Sequence, residues 1–160
     1  MDHRAKIQLI CAIAMLLVAS VVLYNHWRNS TRGEQAFFYD LSKGELFVAN
    51  ANLIPPIRGI DNADEDGVKA VVIAPKPEDS KNRRIAYLER FSPELKRDME
   101  EARAKHSAPL ISRSAAQSLR FVKRVSDREW FPLISPEGQR IVSEWTAPGP
   151  DGLSPVVCTP

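Results

Sequence analysis

The hydrophobic pattern of the chain changes character once, near residue 25. Residues 7–24 read Ile-Gln-Leu-Ile-Cys-Ala-Ile-Ala-Met-Leu-Leu-Val-Ala-Ser-Val-Val-Leu-Tyr, an apolar run without a charge. As a helix it rises about 27 Å, close to the hydrocarbon thickness of a bilayer. Beyond it the apolar residues come in short alternating groups. Phe37-Phe38-Tyr39-Asp40 and Glu45-Leu46-Phe47-Val48 flank Ser42-Lys43-Gly44. This predicts a hairpin over 36–49, with Gly44 at the position needing positive φ. In 68–74, Val68, Ala70, Val72 and Ala74 share one face and Lys69, Val71 and Ile73 the other, the pattern of a core strand. Leu53-Ile54-Pro55-Pro56-Ile57 reads as an extended crossing loop, because adjacent prolines remove ladder donors. Residues 75–82 form a polar loop, and 84–91 fit either a strand or a helix.

Ser92-Pro93-Glu94 is a strong helix start: a capping serine, proline at the first position and an acid in the first turn. The helix should run to about Lys105, with Leu95, Met99 and Ala102 inward and Lys96, Arg97, Glu100, Glu101 and Arg103 on a solvated face. The last third predicts strands. Leu119, Phe121 and Val125 alternate with Arg120 and Arg124, and 130–134 and 139–145 flank a turn at Ser135-Pro136-Glu137-Gly138. The expected fold class is α+β: one N-terminal transmembrane helix, then a small, mostly antiparallel β domain with one main helix. The expected divisions are a short basic tail (1–6), the transmembrane helix (7–24), a juxtamembrane linker (25–35), an α+β extracytoplasmic domain (36–146) and a tail rich in Pro and Gly (147–160).

Arg4 and Lys6 precede the apolar run; His26, Arg28 and Arg32 follow it, and Tyr24 and Trp27 sit at headgroup depth. A short basic tail ahead of a first hydrophobic segment favours a cytoplasmic N-terminus and a domain on the far side. The competing reading is a cleaved signal peptide. It wants small residues where the chain has Tyr24-Asn25-His26-Trp27-Arg28; Ala19-Ser20-Val21 is the nearest match. A lipoprotein fits less well, because Ile10 precedes Cys11 where a small residue is expected. Asn29-Ser30-Thr31 is a glycosylation acceptor only in a secretory lumen, and it lies close to the bilayer. Residues 29–35 span about 20 Å even when extended, so the domain stays near the membrane face.

Charge narrows the partners. Removing Arg4, Lys6, Arg28 and Arg32 from the 22 basic residues, and Asp2 from the 20 acidic ones, leaves a net charge of −1. That balance argues against nucleic acid. Two basic clusters, Lys81-Asn82-Arg83-Arg84 and Arg120 with Lys123, Arg124 and Arg128, suit either anionic headgroups or solvated strand edges. The two cysteines, Cys11 and Cys158, form no framework, and a bridge between them is implausible across the lipid boundary. His3 and His26 flank the anchor and His106 stands alone on the surface. No catalytic signature such as G-x-S-x-G, S-x-x-K or H-E-x-x-H occurs. Hence no catalytic or cofactor-binding residue is assigned, no cofactor is expected, and no small-molecule substrate is evident. The sharpest local pattern is Asn62-Ala63-Asp64-Glu65-Asp66-Gly67. Asn62, Asp64 and Asp66 resemble the first half of a calcium loop, whose alternating oxygens wrap a hard cation. Asn62 stands where an acid leads, and Ile73 where a bidentate acid closes, so an acidic surface turn is the expected reading.

Phe38-Tyr39-Asp40-Leu41 with Gly44-Glu45-Leu46-Phe47, then Ile54-Pro55-Pro56-Ile57, Gly67-Val68-Lys69-Ala70 and Ala86-Tyr87-Leu88-Glu89, resembles a family of uncharacterised bacterial single-pass envelope proteins. The resemblance spans roughly residues 5–95 and rests on structural motifs; it implies an envelope setting and carries no known activity. Some members place cysteines after the strand matching 68–74. Residues 75–79 hold none, so no redox or metal role carries over. The anchor-plus-β layout is also similar to pseudopilins, although no Gly precedes the apolar run and no Glu lies near its start. The expected role is that of a membrane-anchored envelope protein, interacting or structural rather than catalytic, with the lipid bilayer and other envelope proteins as partners. The alternatives are a pseudopilin-like or secretion-system accessory component and an enzyme with an unrecognised site.

Overall fold

The aromatic segments on either side of Gly44 pair with each other across a tight turn. In the computed structural model of the protein, β1 (Gln35–Asp40) and β2 (Glu45–Asn50) form the expected hairpin, with Phe38 opposite Phe47 and Gly44 at φ 72°. The structure describes residues 34–61, 64–149 and 152–160, together with Met15, Ala19 and Ser20, which are helical. The remainder of the expected anchor at 7–24, the tail at 1–6, the linker residues 25–33, His3, His26, Cys11 and Asn62 lie outside the described residues. Among the described residues no helix is long and apolar enough to cross a membrane.

Gln35–Pro160 form one compact unit. Its strands β3 (Gly67–Ala74), β4 (Arg84–Phe91), β5 (Arg120–Lys123), β6 (Phe131–Pro132) and β7 (Val156–Val157) join the hairpin in one antiparallel sheet. The order is β2-β1-β3-β4-β5-β6, with β7 against the end of β3. The protein is therefore α+β with an antiparallel sheet. The segment 84–91, open to two readings in the sequence, is a strand. It carries a bulge at Ala86, since Val71 faces Tyr87 while Val72 faces Ile85.

Register divides the sheet into two faces. Phe37, Val68, Ala70, Val72, Ala74 and Leu88 form a buried cluster on one, with Cys158. Phe38, Lys69, Glu89 and Val122 share the other, because Phe38 pairs with Lys69, Lys69 with Glu89 and Glu89 with Val122. Phe38 and Val122 are fully buried there.

The first long helix, α1 (Pro93–Ala104), begins as expected: the Ser92 hydroxyl accepts from Leu95 N at 3.1 Å, and Leu95 and Ala102 are buried. Asp98 turns the chain back by accepting from Leu110 N and Ile111 N at 3.0 Å each. A short helix with no counterpart among the expected elements follows, α2 (Arg113–Ser118), capped by Ser112. Three expectations for the last third need correction. The strand β5 buries Val122, not Leu119, Phe121 and Val125; Val125 is 44% exposed. Four residues are too few for alternation to fix a face, and pairing with Glu89 fixes it instead. The strand predicted over 130–134 shrinks to Phe131–Pro132. The strand predicted over 139–145 is part of a helix, α3 (Pro136–Glu144), N-capped by Ser135. Gly138, Ile141 and Trp145 lie at helical spacing, and Ile141 is fully buried. Beyond it, Gly149 N donates to Leu153 O and Gly152 N to Gly149 O, at 2.8 and 2.9 Å, and the end of the segment belongs to the sheet: Cys158 N donates to Val72 O at 2.8 Å.

Candidate functional site

A carboxylate on a buried sheet face demands a partner. Glu89 is 6% exposed, and Arg120 on the neighbouring strand meets it, with Nε 2.6 Å from Oε1 and Nη2 against the same oxygen. The pair sits one register step along the sheet, since Glu89 faces Val122 and Phe91 faces Arg120. The Arg120 guanidinium lies 5.7 Å from the Phe91 ring centroid, so its flat apolar face is used as well as its charge. Tyr87, two residues before Glu89 and on the same face, has its hydroxyl pKa raised, chiefly by burial and then by the Glu89 charge, with Arg120 opposing.

Around this pair the chain forms a cleft of about 210 Å³. Its walls are Asn52–Pro55 on one side, Met99 and Arg103 of α1 on another, and Lys69, Glu89, Phe91 and Arg120 across the sheet. The wall formed by the proline segment is fixed to its neighbours: Phe91 N donates to Pro55 O at 3.1 Å and Lys96 Nζ to Pro56 O at 2.7 Å. Ile54 and Pro55, from the segment expected as a crossing loop, thus line the cleft, and these bonds tie the segment to β4 and α1.

The acidic turn is bound into the fold. Lys43 pairs with Asp61 at 3.4 Å and Lys96 with Glu65 at 2.7 Å. Asp61 takes φ 54°, and Asp64 and Asp66 contribute backbone carbonyls to Gly59 N and Leu41 N. Among the described residues no three His, Cys, Asp or Glu side chains are grouped to hold a metal ion. His106 is exposed, at φ 50° just past α1.

The basic cluster read at 120–128 is divided by the fold. Arg120 pairs with Glu89 and Lys123 lies 5.2 Å from the Trp130 ring. On that same side Arg90 stacks on Trp130 at 4.5 Å, and burial lowers its pKa. Arg124 is enclosed by Asp127, Glu137 and Glu144, and its pKa is raised, first by the hydrogen bonds to Glu144. In return Glu144 is held below the usual glutamate range by Arg124, and Glu137 by Arg140 and then Arg124. Both acids bind fewer protons folded than unfolded. Their contribution is therefore present above the unfolded glutamate pKa, about 4.3, and is lost as pH falls through the lower folded values. The melting temperature should fall on acidification below that range, and Arg124→Gln should flatten the fall. Melting curves of both chains from pH 7 to pH 3 measure this; parallel curves would contradict it.

Sequence reasoning missed the Glu89–Arg120 pair. The signal was present as a single acid closing the apolar run Ala86-Tyr87-Leu88, with Arg120 31 positions away. Only the register of β4 against β5 brings them together. Comparison of the chain with family models, with curated proteins and with solved structures gives no match.

Proposed function

We propose that the protein is a single-pass membrane protein of a bacterial envelope, with its domain outside the cytoplasm and a role in binding or structure rather than catalysis. The observation that carries this reading is the uncharged run at 7–24, with basic residues before it and Tyr24 and Trp27 at its end. The physical role is tethering. A domain on a short polar linker meets neighbouring envelope components at an effective concentration set by the tether, not by bulk diffusion. The compact unit Gln35–Pro160 supplies the head, and its groove beside Glu89 and Arg120 supplies a concave polar surface for a partner.

Fractionation of cells expressing the full chain tests the anchor. The protein should stay with the membrane pellet through an alkaline wash and enter solution only with detergent. Protease added to intact spheroplasts should digest the domain if it faces outward. Recovery of a freely soluble chain lacking residues 1–24 would overturn the proposal.

A further inference from the structure

We infer that the cleft beside the Glu89–Arg120 pair binds a carboxylate carried on a short aliphatic stem. Three cations converge on it, Lys69 from β3, Arg120 from β5 and Arg103 from α1, against one acid, Glu89. Glu89 neutralises Arg120 through two donors on one oxygen. Lys69 and Arg103 make no ion pair among the described residues, and they leave the cleft with an unbalanced positive charge.

The placement of Lys69 strengthens the point. It sits mid-strand between Phe38 and Glu89, on the face where Phe38 is fully buried, and is itself only half-exposed. Its cross-strand neighbour Glu89 is the one acid beside it in the cleft, and that carboxylate is already paired with Arg120. Arg103, in the last turn of α1, already complements the helix dipole, which explains its presence there but not its position on the cleft wall.

Size and lining select the ligand. A space of about 210 Å³ is smaller than most small-molecule pockets and suits one side chain or a small acid. Phe91, Met99 and Pro55 offer apolar surface for a stem, and the cations sit beside it. Glu89 within the same cleft disfavours a dianion, so a single carboxylate is a better match than a phosphate. A glutamate side chain of a partner segment and a free short-chain monocarboxylate present the same chemistry. The cleft belongs to the domain alone, so the inference stands whether or not the chain is anchored.

Calorimetric titration of the full-length protein in detergent micelles tests it, with butyrate, a short terminally blocked peptide carrying one Glu, and inorganic phosphate as probes. Butyrate or the peptide should saturate one site, and the tighter of the two identifies the source. Arg103→Gln and Lys69→Gln should each weaken that binding by about tenfold, the size expected for one charge-assisted contact. Both variants should melt like the parent chain, which separates lost binding from lost folding. The inference is overturned if neither carboxylate saturates, if phosphate binds as tightly as both, or if either variant binds like the parent.

Discussion

Replacing Asp40 with Ala is expected to lower the melting temperature by roughly 10 °C, the effect of removing a buried carboxylate that accepts four hydrogen bonds in a domain of this size. Asp40 ends β1 and is fully buried. Its Oδ1 accepts from Ser42 N at 3.0 Å, the Ser42 hydroxyl at 2.8 Å and Lys43 N at 2.8 Å. Its Oδ2 accepts from Ile60 N at 2.6 Å. One side chain thus organises the β1–β2 turn and ties it to a loop 20 positions away. The carboxyl pKa is lowered, first by the Lys43 backbone bond, with burial opposing. The charged form is the one that folds, and its contribution is lost as pH falls through that depressed value.

Alanine removes all four acceptances and leaves three backbone N–H groups to find water or stay unpaired. Asparagine separates the two halves of the role. Its carbonyl can replace Oδ1 in the turn, but its amide then points a donor at the donor Ile60 N–H. Asp40→Asn should therefore melt between the parent and Asp40→Ala, with hydrogen exchange at Ile60 accelerated and at Lys43 less changed. Thermal melts and amide exchange measure the order. An Asp40→Ala chain as stable as the parent would show that the turn does not depend on this carboxylate.

Elements fixed by their own residues were legible in the sequence. The hairpin carries its turn chemistry within ten positions, and β3 declares itself because Val68, Ala70, Val72 and Ala74 alternate over its length. The cap of α1 was also readable, from Ser92 and Pro93. What escaped depends on pairing between distant segments. Asp40 is recognisable as a turn-opening acid, yet its burial needs the loop at 57–61 to fold back over it. Glu89 and Arg120 become partners only through the β4–β5 register, and the composition of 147–160 gives no sign that Val156 and Val157 pair with β3. The tripeptide Ser-Pro-Glu occurs twice and starts a helix both times. Following Ser135 the run Ser-Pro-Glu-Gly also suits a turn, and Gly138 has a role set by what it packs against.

That role yields the second large effect. Glycine to alanine inside a helix ordinarily stabilises by about 1 kcal/mol, and Gly138→Ala should instead destabilise by about 3 kcal/mol, at the upper end for overpacking. A Cβ at position 138 would lie 2.2 Å from Pro132 O and 3.1 Å from Leu133 Cα. Both obstacles are backbone, so no side-chain rotation relieves the clash. The same carbonyl is the seat of the helix start: Ser135 N and Oγ both donate to Pro132 O, at 2.9 and 2.7 Å, and Ser135 Oγ accepts from Gly138 N at 3.0 Å. Moving α3 outward to admit a methyl group would stretch these bonds and draw the fully buried Ile141 from its site. Equilibrium unfolding in urea should show a lower midpoint for Gly138→Ala with far-ultraviolet helicity retained before the transition. A midpoint equal to or above that of the parent would mean that α3 is not seated against the Pro132 carbonyl, and the helix would then gain the usual benefit of alanine.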